Sequence, residues 1–181
     1  RLEVKEGKNG CVIINDSYNS DLASLDIALD FMSRRSEDKG KKRTLILSDM
    51  LETGQSSKLL YRQVAELVHS RGVEKIIGVG DEIRTASSRF ELEKYFFHST
   101  EDLLKSDLLP NLRNEVVLIK GSRSFHFDDI SERLELKVHE TILEIKLNAL
   151  VDNLNYYRSK LKPETKMVCM VKASAYGAGS Y

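Results

Sequence analysis

Residues 43–79 read RTLILSDMLETGQSSKLLYRQVAELVHSRGVEKIIGV, and their pattern sets the expected architecture. The unit begins with an apolar run, Arg43–Leu47, and ends with another, Lys75–Val79, and both runs predict buried strands. Between them, Ser56–Ser70 carries apolar residues three and four positions apart, which indicates an amphipathic helix. A strand, a helix and a second strand in this order predict two parallel strands of one sheet.

The same alternation continues on both sides of this unit. Further strands are predicted at Cys11–Asp16, Tyr95–Phe97 and Glu115–Lys120. Further helices are predicted at Asp21–Arg34, Asp81–Arg89, Thr100–Leu109 and Phe127–Leu134. Residues 1–134 are therefore expected to form a Rossmann-like α/β domain of three layers, with a mostly parallel sheet between helices. In such sheets ligands gather at the carboxyl ends of the strands.

The pattern changes after residue 134. Residues 135–140 are charged and lack a clear period, so they are expected to form a linker. In residues 141–181 we predict a strand at Thr141–Leu147, a helix at Asn148–Lys160 and a strand at Lys166–Lys172. A strand–helix–strand of this size cannot bury itself, so it is expected to be the truncated start of a larger fold.

Composition excludes several classes of function. The chain has 28 basic and 28 acidic residues, so the basic excess typical of nucleic-acid binding is missing. No apolar run has the length of a membrane span, and the charged residues 1–9 do not resemble a signal peptide. Cys11 and Cys169 lie in apolar runs and are predicted to be buried free thiols, which fits a cytoplasmic location. Without CxxC or HExxH, no metal site is indicated.

Two of the predicted strands end in acidic and amide groups. Asp16, Tyr18 and Asn19 follow the first strand and suit a ribose or a base edge. The alternative is that they form an Asx-type turn that caps the next helix. Asp49 and Glu52 follow the strand Arg43–Leu47 and could orient an amine or a metal-bound water. The alternative for this second group is a solvated loop.

A third strand end, Lys120-Gly121-Ser122-Arg123, carries two cations around a Gly-Ser turn. Glycine lets the backbone approach a ligand and arginine can grip an oxyanion through two hydrogen bonds, so this turn predicts an anion site. A chance pair of basic residues at a strand end is the alternative. The sequence contains no GxxxxGK[ST], so a triphosphate is not held here by that device.

A last polar group follows the predicted strand near the end of the chain. Lys172 ends an apolar run in the stretch VKASAYG, which also contains Tyr176. A lysine in this position can have a lowered pKa and form a Schiff base. An exposed lysine at a strand end explains the same pattern without any chemistry.

Three of these motifs together resemble the C-terminal domain of MurF-type D-alanyl-D-alanine-adding ligases. The stretch INDSYNSDLASLDIAL at 14–29 resembles the family's DSYNANPxS motif, LSDMLETG at 47–54 its GDMxELG, and VLIKGSR at 117–123 its KGSR. They occur in the family's order over residues 1–134. Departures include Ser20-Asp21 in place of Ala-Asn and Ser48 in place of Gly.

The resemblance implies a domain that closes over ATP and presents the D-alanyl-D-alanine amine to UDP-N-acetylmuramoyl-tripeptide. ATP and Mg would be held mainly by a central domain, and the UDP end of the acceptor by an N-terminal domain. By the same resemblance, the ribose and base would meet Asp16, Tyr18 and Asn19, and the phosphates Arg1. The dipeptide or the developing phosphate charge would meet Lys120, Ser122 and Arg123, while Asp49 and Glu52 would help to place the amine.

The remaining segment resembles the start of alanine racemases. LEIKLNALVDNLNYY at 143–157 and MVCMVKASAYGAG at 167–179 are similar to the opening of that family, whose signature is close to VKAxAYGHG. The resemblance implies the first elements of a TIM barrel, with Lys172 as the pyridoxal-phosphate lysine and Tyr176 as the tyrosine of the motif. The parent chain would then combine two enzymes, while residues 1–181 alone are expected to be inactive in both reactions.

Two other hypotheses remain at this stage. The domain could be a non-catalytic nucleotide-binding or interaction module of flavodoxin-like shape, in which Asp49 would suit a phospho-acceptor. Alternatively, the chain could be primarily part of a racemase, with residues 1–134 as an appendage.

Overall fold

A computed structural model describes residues 2–35, 40–50, 54–137, 144–172 and 175. Its contacts divide the chain into two units, Arg1–Lys137 and Val138–Tyr181. No helix in the described ranges is long and apolar enough to cross a bilayer.

The first unit is built on a six-stranded sheet in the order β1-β2-β6-β3-β4-β5. All neighbours are parallel except β1 and β2, which are antiparallel. The predicted mostly parallel α/β sheet is therefore confirmed. The strands are β1 (Glu3–Glu6), β2 (Val12–Asp16), β3 (Lys42–Ser48), β4 (Lys75–Val79), β5 (Glu93–Phe97) and β6 (Glu115–Lys120).

Helices cover both faces of this sheet, because successive side chains of the buried strands point to opposite sides. Ile14, Leu45 and Leu118 belong to one apolar cluster, whereas Ile13 and Ile46 belong to the other. The first cluster includes residues of α1, α2 and α3, and the second includes residues of α4 and α5. The helices are α1 (Leu22–Arg34), α2 (Ser57–Ser70), α3 (Asp81–Thr85), α4 (Thr100–Lys105) and α5 (Asp128–Leu134).

Side-chain caps fix where α1 and α4 begin. Asp21 accepts the backbone N–H of Ser24 at 2.8 Å and the Ser24 hydroxyl at 2.7 Å. These hydrogen bonds lower the pKa of Asp21, because they favour its ionised form. At the start of α4, the Ser99 hydroxyl accepts the backbone N–H of Asp102 at 3.1 Å.

Two predicted helices are shorter in the structure. The helix predicted at Asp81–Arg89 ends at Thr85 and continues as a 3₁₀ turn at Ser87–Arg89. The one predicted at Thr100–Leu109 ends at Lys105, where the Ser106 hydroxyl bonds the Leu103 carbonyl at 2.7 Å. A local serine bond of this kind satisfies a carbonyl that further helix would have used.

The amino end of the sheet buries an ion pair between β4 and β6, the two strands that flank β3. Lys75 Nζ lies 2.6 Å from Glu115 Oε1, and both side chains are 8% exposed. The Thr44 hydroxyl donates to the same carboxylate, and Glu93 lies 3.6 Å from the Lys75 ammonium. Lys42 pairs with Glu93, which raises the pKa of Lys42 and lowers that of Glu93.

The second unit differs from its prediction. It contains the helix α6 (Leu147–Ser159), but residues 144–146 and 165–172 carry no strand, so the strand predicted at Lys166–Lys172 is wrong. The strand predicted at Thr141–Leu147 lies partly outside the described residues, and its last residue opens α6. Cys169 is exposed, whereas Cys11 is buried as predicted. An apolar run becomes a buried strand only beside partner strands, and the described part of this unit offers none.

Candidate functional site

The first and third polar groups predicted from the sequence lie side by side. Asp16 ends β2, Lys120 ends β6, and the two are directly paired in the parallel ladder. Their charges meet, with Lys120 Nζ 2.8 Å from Asp16 Oδ2. The Lys120 ammonium also donates to the backbone carbonyl of Asn19. One cation thus joins the end of β6 to both ends of the Asp16–Asn19 turn.

Lys120, which was predicted to meet the dipeptide or the developing phosphate charge, is buried. Its side chain is only 1% exposed, compared with 16% for Asp16. A buried ammonium needs close partners because desolvation disfavours its charge, and here Asp16 and Asn19 supply them. The predicted contact between Lys120 and a substrate anion does not match this enclosed position.

Arg123 is the exposed cation of the same region. Its guanidinium carbon lies 3.7 Å from the centre of the Tyr18 ring, within the range of a cation–π contact. Tyr18 is 53% exposed, so both partners face solvent. The ring comes from the turn after β2 and the charge from the turn after β6. The Tyr18–Arg123 pair thus joins the first and third predicted groups at the surface.

Open cavities flank the Tyr18–Arg123 pair on two sides. One of about 530 Å³ extends toward Asn15, Ser17 and Asp128, and its mouth includes both members of the pair. The other, of about 600 Å³, extends over Asn19 to Asp21 and Ser122 to Ser124, again with both members in its wall. A ligand in either cavity would meet the guanidinium of Arg123 and the ring of Tyr18.

The third turn is shaped by close backbone packing. A Cβ atom at Gly121 would lie 2.5 Å from the Phe127 ring, so only glycine lets the turn pass over that side chain. The backbone N–H of Ser122 donates to the Ser48 hydroxyl at 3.0 Å, which ties this turn to the end of β3. The Ser122 hydroxyl lies 2.9 Å from that of Ser124.

The second polar group serves the interior of the fold. Asp49 is 6% exposed, and its carboxylate accepts the backbone N–H of Ile83 at 2.8 Å and of Glu82 at 3.2 Å. The buried Tyr61 hydroxyl donates to it at 3.3 Å. Burial raises the pKa of Tyr61, and the charge of Asp49 adds to the effect.

This environment bears on two sequence-based hypotheses. A phospho-acceptor must be reachable by its donor, and the enclosed Asp49 carboxylate is not, so the receiver-like alternative loses its chemical support. The solvated-loop alternative also fails for Ser48 and Asp49, because both are buried. The suggested role of Asp49 in placing an amine stays a prediction.

Several predicted residues cannot be placed. Arg1, Glu52 and Tyr176 lie outside the described residues. Lys172 is described and is exposed, in a segment without secondary structure. In the described residues no three acidic, His or Cys side chains group as metal ligands would. The described part of residues 144–175 leaves Lys172 exposed, so these residues by themselves do not form an enclosed pyridoxal-phosphate site.

Two side chains that organise the site were missed by the sequence analysis. Tyr61 falls on the buried face of α2, and a buried tyrosine needs a partner for its hydroxyl, so its link to a strand-end acid could have been expected. Asp128 accepts the Ser17 hydroxyl at 2.7 Å and thereby ties the first turn to α5. These residues lie 111 positions apart, and no local pattern connects them.

The sequence of this domain matches a known protein family. The family model described as "Mur ligase, glutamate ligase domain" matches residues 1–123. The chain belongs to the Mur ligase family. Its match ends at the residue that carries the exposed guanidinium of the site.

Curated relatives agree with this membership. The chain is similar to proteins named UDP-N-acetylmuramoyl-tripeptide–D-alanyl-D-alanine ligase. The one from Escherichia coli K12 is 25% identical over 125 residues, which are 68% of this chain and 27% of the relative. The one from Buchnera aphidicola of Baizongia pistaciae is 26% identical over 147 residues, 77% of this chain and 30% of the relative. The chain thus spans no more than about a third of these ligases.

Solved structures share the fold. A crystal structure of MurF from Acinetobacter baumannii aligns with a TM-score of 0.58 at 19% identity and covers 73% of this chain and 29% of its own. A domain from a Haemophilus ducreyi protein, titled a putative UDP-N-acetylmuramate:L-alanyl-gamma-D-glutamyl-medo-diaminopimelate ligase, aligns with a TM-score of 0.53 at 11% identity. That alignment covers 74% of this chain and 95% of the domain. At these identities the likeness concerns the fold alone.

Proposed function

We propose that this chain supplies the closing domain of an ATP-dependent ligase that joins D-alanyl-D-alanine to UDP-N-acetylmuramoyl-tripeptide in peptidoglycan synthesis. The names of the similar ligases support this choice of substrates. The observation that carries it is the Tyr18–Arg123 pair, which places an aromatic ring and a cation together at the carboxyl ends of β2 and β6. That is the edge of a parallel sheet where ligands bind.

The reaction proposed for the parent ligase activates the peptide carboxylate as an acyl phosphate. The amine of D-alanyl-D-alanine then attacks the carbonyl carbon, so a C–N bond forms, the C–O bond to phosphate breaks and inorganic phosphate leaves. Such chemistry depends on positioning and charge neutralisation more than on a protein nucleophile. Arg123 fits the second need, because its exposed guanidinium can bind the dipeptide carboxylate or the developing phosphate charge.

The other site residues are assigned the roles that the motif resemblance implies. We assign Tyr18 and Asn19, which are exposed, to the nucleotide base and ribose, together with Asp16. Ser122 joins Arg123 at the dipeptide. Arg1 is proposed for the phosphates, and Asp49 and Glu52 for placing the amine.

ATP and Mg are expected to bind mainly to a central ligase domain in cis, and the UDP end of the acceptor to an N-terminal domain. Within the described residues, no group of acidic or His side chains is suited to a metal. Closure of this domain would add the Arg123 cation to a site built elsewhere and exclude water from it. The reaction is expected to take place in the cytoplasm, without nucleic-acid or membrane partners.

One consequence is that residues 1–181 alone should not ligate. The purified chain is incubated with ATP, D-alanyl-D-alanine and UDP-N-acetylmuramoyl-tripeptide, and phosphate release is followed. No release above background is expected, because the chain contains no P-loop motif. ATP-dependent product formation by this chain would sink the assignment of a closing domain.

The direct test uses the parent ligase with Arg123→Ala. We expect kcat/KM for D-alanyl-D-alanine to fall roughly 100-fold, as for loss of a charged group that contacts the transition state. The matched control is Arg62→Ala, which removes an exposed arginine from the outer side of α2, where it pairs with Glu66. Equal activity of the two variants would contradict the proposed role of Arg123.

We also propose, from the motif at residues 167–179 alone, that the parent chain continues into an alanine racemase. Pyridoxal phosphate supplies an electron sink for removal of the α-proton when it is bound. Lys172 is the residue that would anchor it. Conversion of L-alanine to D-alanine by the parent chain, abolished by Lys172→Ala, is the expected result. A parent chain that lacks this conversion would refute the second activity.

A further inference from the structure

Lys120 has a position that the proposed chemistry does not use. Its ammonium is the buried centre of the site, whereas the charge available to a ligand is that of Arg123, three residues further along the chain. The two cations therefore cannot have the same role. The buried Lys120 therefore needs a role of its own, separate from that of the exposed Arg123.

The contacts of Lys120 bracket the residue that carries the ring. It pairs with Asp16 at 2.8 Å, two residues before Tyr18, and donates to the carbonyl of Asn19, the residue after it. The same lysine fixes the start of the Gly121–Arg123 turn, because it is the last residue of β6. Both members of the Tyr18–Arg123 pair thus depend on one buried group.

We infer that Lys120 is a positioning residue, which holds the Tyr18 turn and the Arg123 turn in register so that the guanidinium is presented over the ring. It acts through Asp16 and Asn19 and does not touch substrate. This inference rests on the proposed function for its consequence in ligation, but its structural part stands without it. Without the ammonium, the Asp16 carboxylate would lose its ion pair with β6, and the Asn19 carbonyl would lose the hydrogen bond that ties the end of the turn to that strand.

The chain offers a matched control for a variant of this residue. Lys75 is also a buried strand lysine with a carboxylate partner, at the opposite end of the same sheet. Lys75→Met and Lys120→Met each remove one buried ammonium and leave its carboxylate partner without that cation. Both variants should be destabilised, but only Lys120→Met should disturb the Tyr18–Arg123 pair.

The structural readout is the NMR signal of the Arg123 guanidinium in the 181-residue chain. A proton held close above the face of an aromatic ring is shifted upfield by the ring current, and the 3.7 Å separation predicts such a shift here. Tyr18→Leu identifies the contribution of the ring. We expect Lys75→Met to keep the shift and Lys120→Met to lose it. A folded Lys120→Met chain with an unchanged Arg123 shift would overturn the inference.

A second variant covers the case in which Lys120→Met does not fold. Asp16→Asn keeps the lysine and nearly the same shape but removes the charge of its partner. We expect part of the Arg123 shift to be lost in this variant, because the turn is then held less firmly. A full wild-type shift in Asp16→Asn would count against Lys120 as the positioning group.

In the parent ligase, Lys120→Met should lower kcat/KM for the dipeptide roughly 10- to 100-fold at saturating ATP, since small misplacements of a charged group are costly. Lys75→Met, assayed at a temperature where both variants are folded, should not. If the Arg123 shift depends on Lys120 but Arg123→Ala leaves ligation intact, the positioning holds and the proposed function fails. If Arg123→Ala is inactive and the Arg123 shift is unchanged in Lys120→Met, the proposed function stands and the positioning role of Lys120 fails.

Discussion

Each end of the central sheet buries one lysine against a carboxylate, but the two ends differ in what surrounds that ion pair. At the amino end, Lys75 and Glu115 join neighbouring polar groups of β3 and β5, and the whole set is satisfied within the sheet. At the carboxyl end, Lys120 and Asp16 lie beneath Tyr18 and Arg123, which face solvent.

This difference indicates that a buried charge does not by itself mark a functional site. Both lysines have close partners, as burial of an ammonium requires. The carboxyl-end pair differs in lying beside an exposed ring and an exposed guanidinium that contact each other. We therefore place the proposed site at the exposed cation and ring, and not at the buried charge alone.

The largest effect on stability is expected at the amino end. Lys75→Met leaves the Glu115 carboxylate buried without its cation, which should lower the free energy of unfolding by about 3–5 kcal/mol. Urea denaturation of the 181-residue chain measures it. Lys75→Met/Glu115→Leu should recover most of the loss, because both charges are then gone. A single variant as stable as wild type would show that this pair does not hold the sheet.

A smaller effect is expected where loops approach closely at the carboxyl end. Gly80 has a φ of +124°, and a Cβ there would lie 2.3 Å from the Asp49 carboxylate. Gly80→Ala should lower the free energy of unfolding by about 2–3 kcal/mol through strain and displacement of Asp49. Urea denaturation again measures the loss.

Gly40→Ala is the control for that substitution. Gly40 also has a positive φ, of +85°, but no atom of the described residues lies within 4 Å of the place that a Cβ would occupy. Strain alone predicts a loss of about 1 kcal/mol. Equal losses in the two variants would mean that the contact with Asp49 adds nothing at Gly80.

The Tyr61–Asp49 contact should respond to alkaline pH. At neutral pH, Tyr61→Phe should cost about 1 kcal/mol for the lost hydrogen bond. The pKa of Tyr61 is raised in the folded state, so the phenol stays protonated there while the unfolded chain ionises near pH 10. Its stabilising contribution is complete below that pH and is lost as the pH rises.

The measurement for this prediction is urea denaturation of both proteins from mildly to strongly alkaline pH. The advantage of wild type over Tyr61→Phe should shrink once the pH passes about 10. An advantage that stays constant over this interval would show that Tyr61 ionises equally in the two states.

The pattern of apolar residues predicted the strands whose side chains are buried on both faces of the sheet. The strands β2, β3, β4 and β6 are apolar on both sides, as strands covered by two layers must be. It missed β1, because Glu3–Glu6 reads EVKE and contains one apolar residue. An edge strand of this composition is held by pairing with β2, which the sequence does not display.

The sequence predicted the three polar strand ends of the site, but not the contacts between them. Parallel strands bring such groups to one edge, and that much follows from the pattern. The burial of Lys120 does not follow from it, because its partner Asp16 lies on a strand distant in the sequence. The Tyr18–Arg123 pair likewise depends on two turns that meet only after β2 and β6 pair.

We propose that the Asp16–Asn19 turn and the Gly121–Arg123 turn act as one unit in ligation. A double-mutant cycle in the parent ligase, with Tyr18→Ala, Arg123→Ala and the double variant, tests it through kcat/KM for D-alanyl-D-alanine at saturating ATP. The account predicts that the double variant is less impaired than the sum of the singles, with a coupling of about 1 kcal/mol. Strictly additive losses would mean that the two turns act independently, and would contradict it.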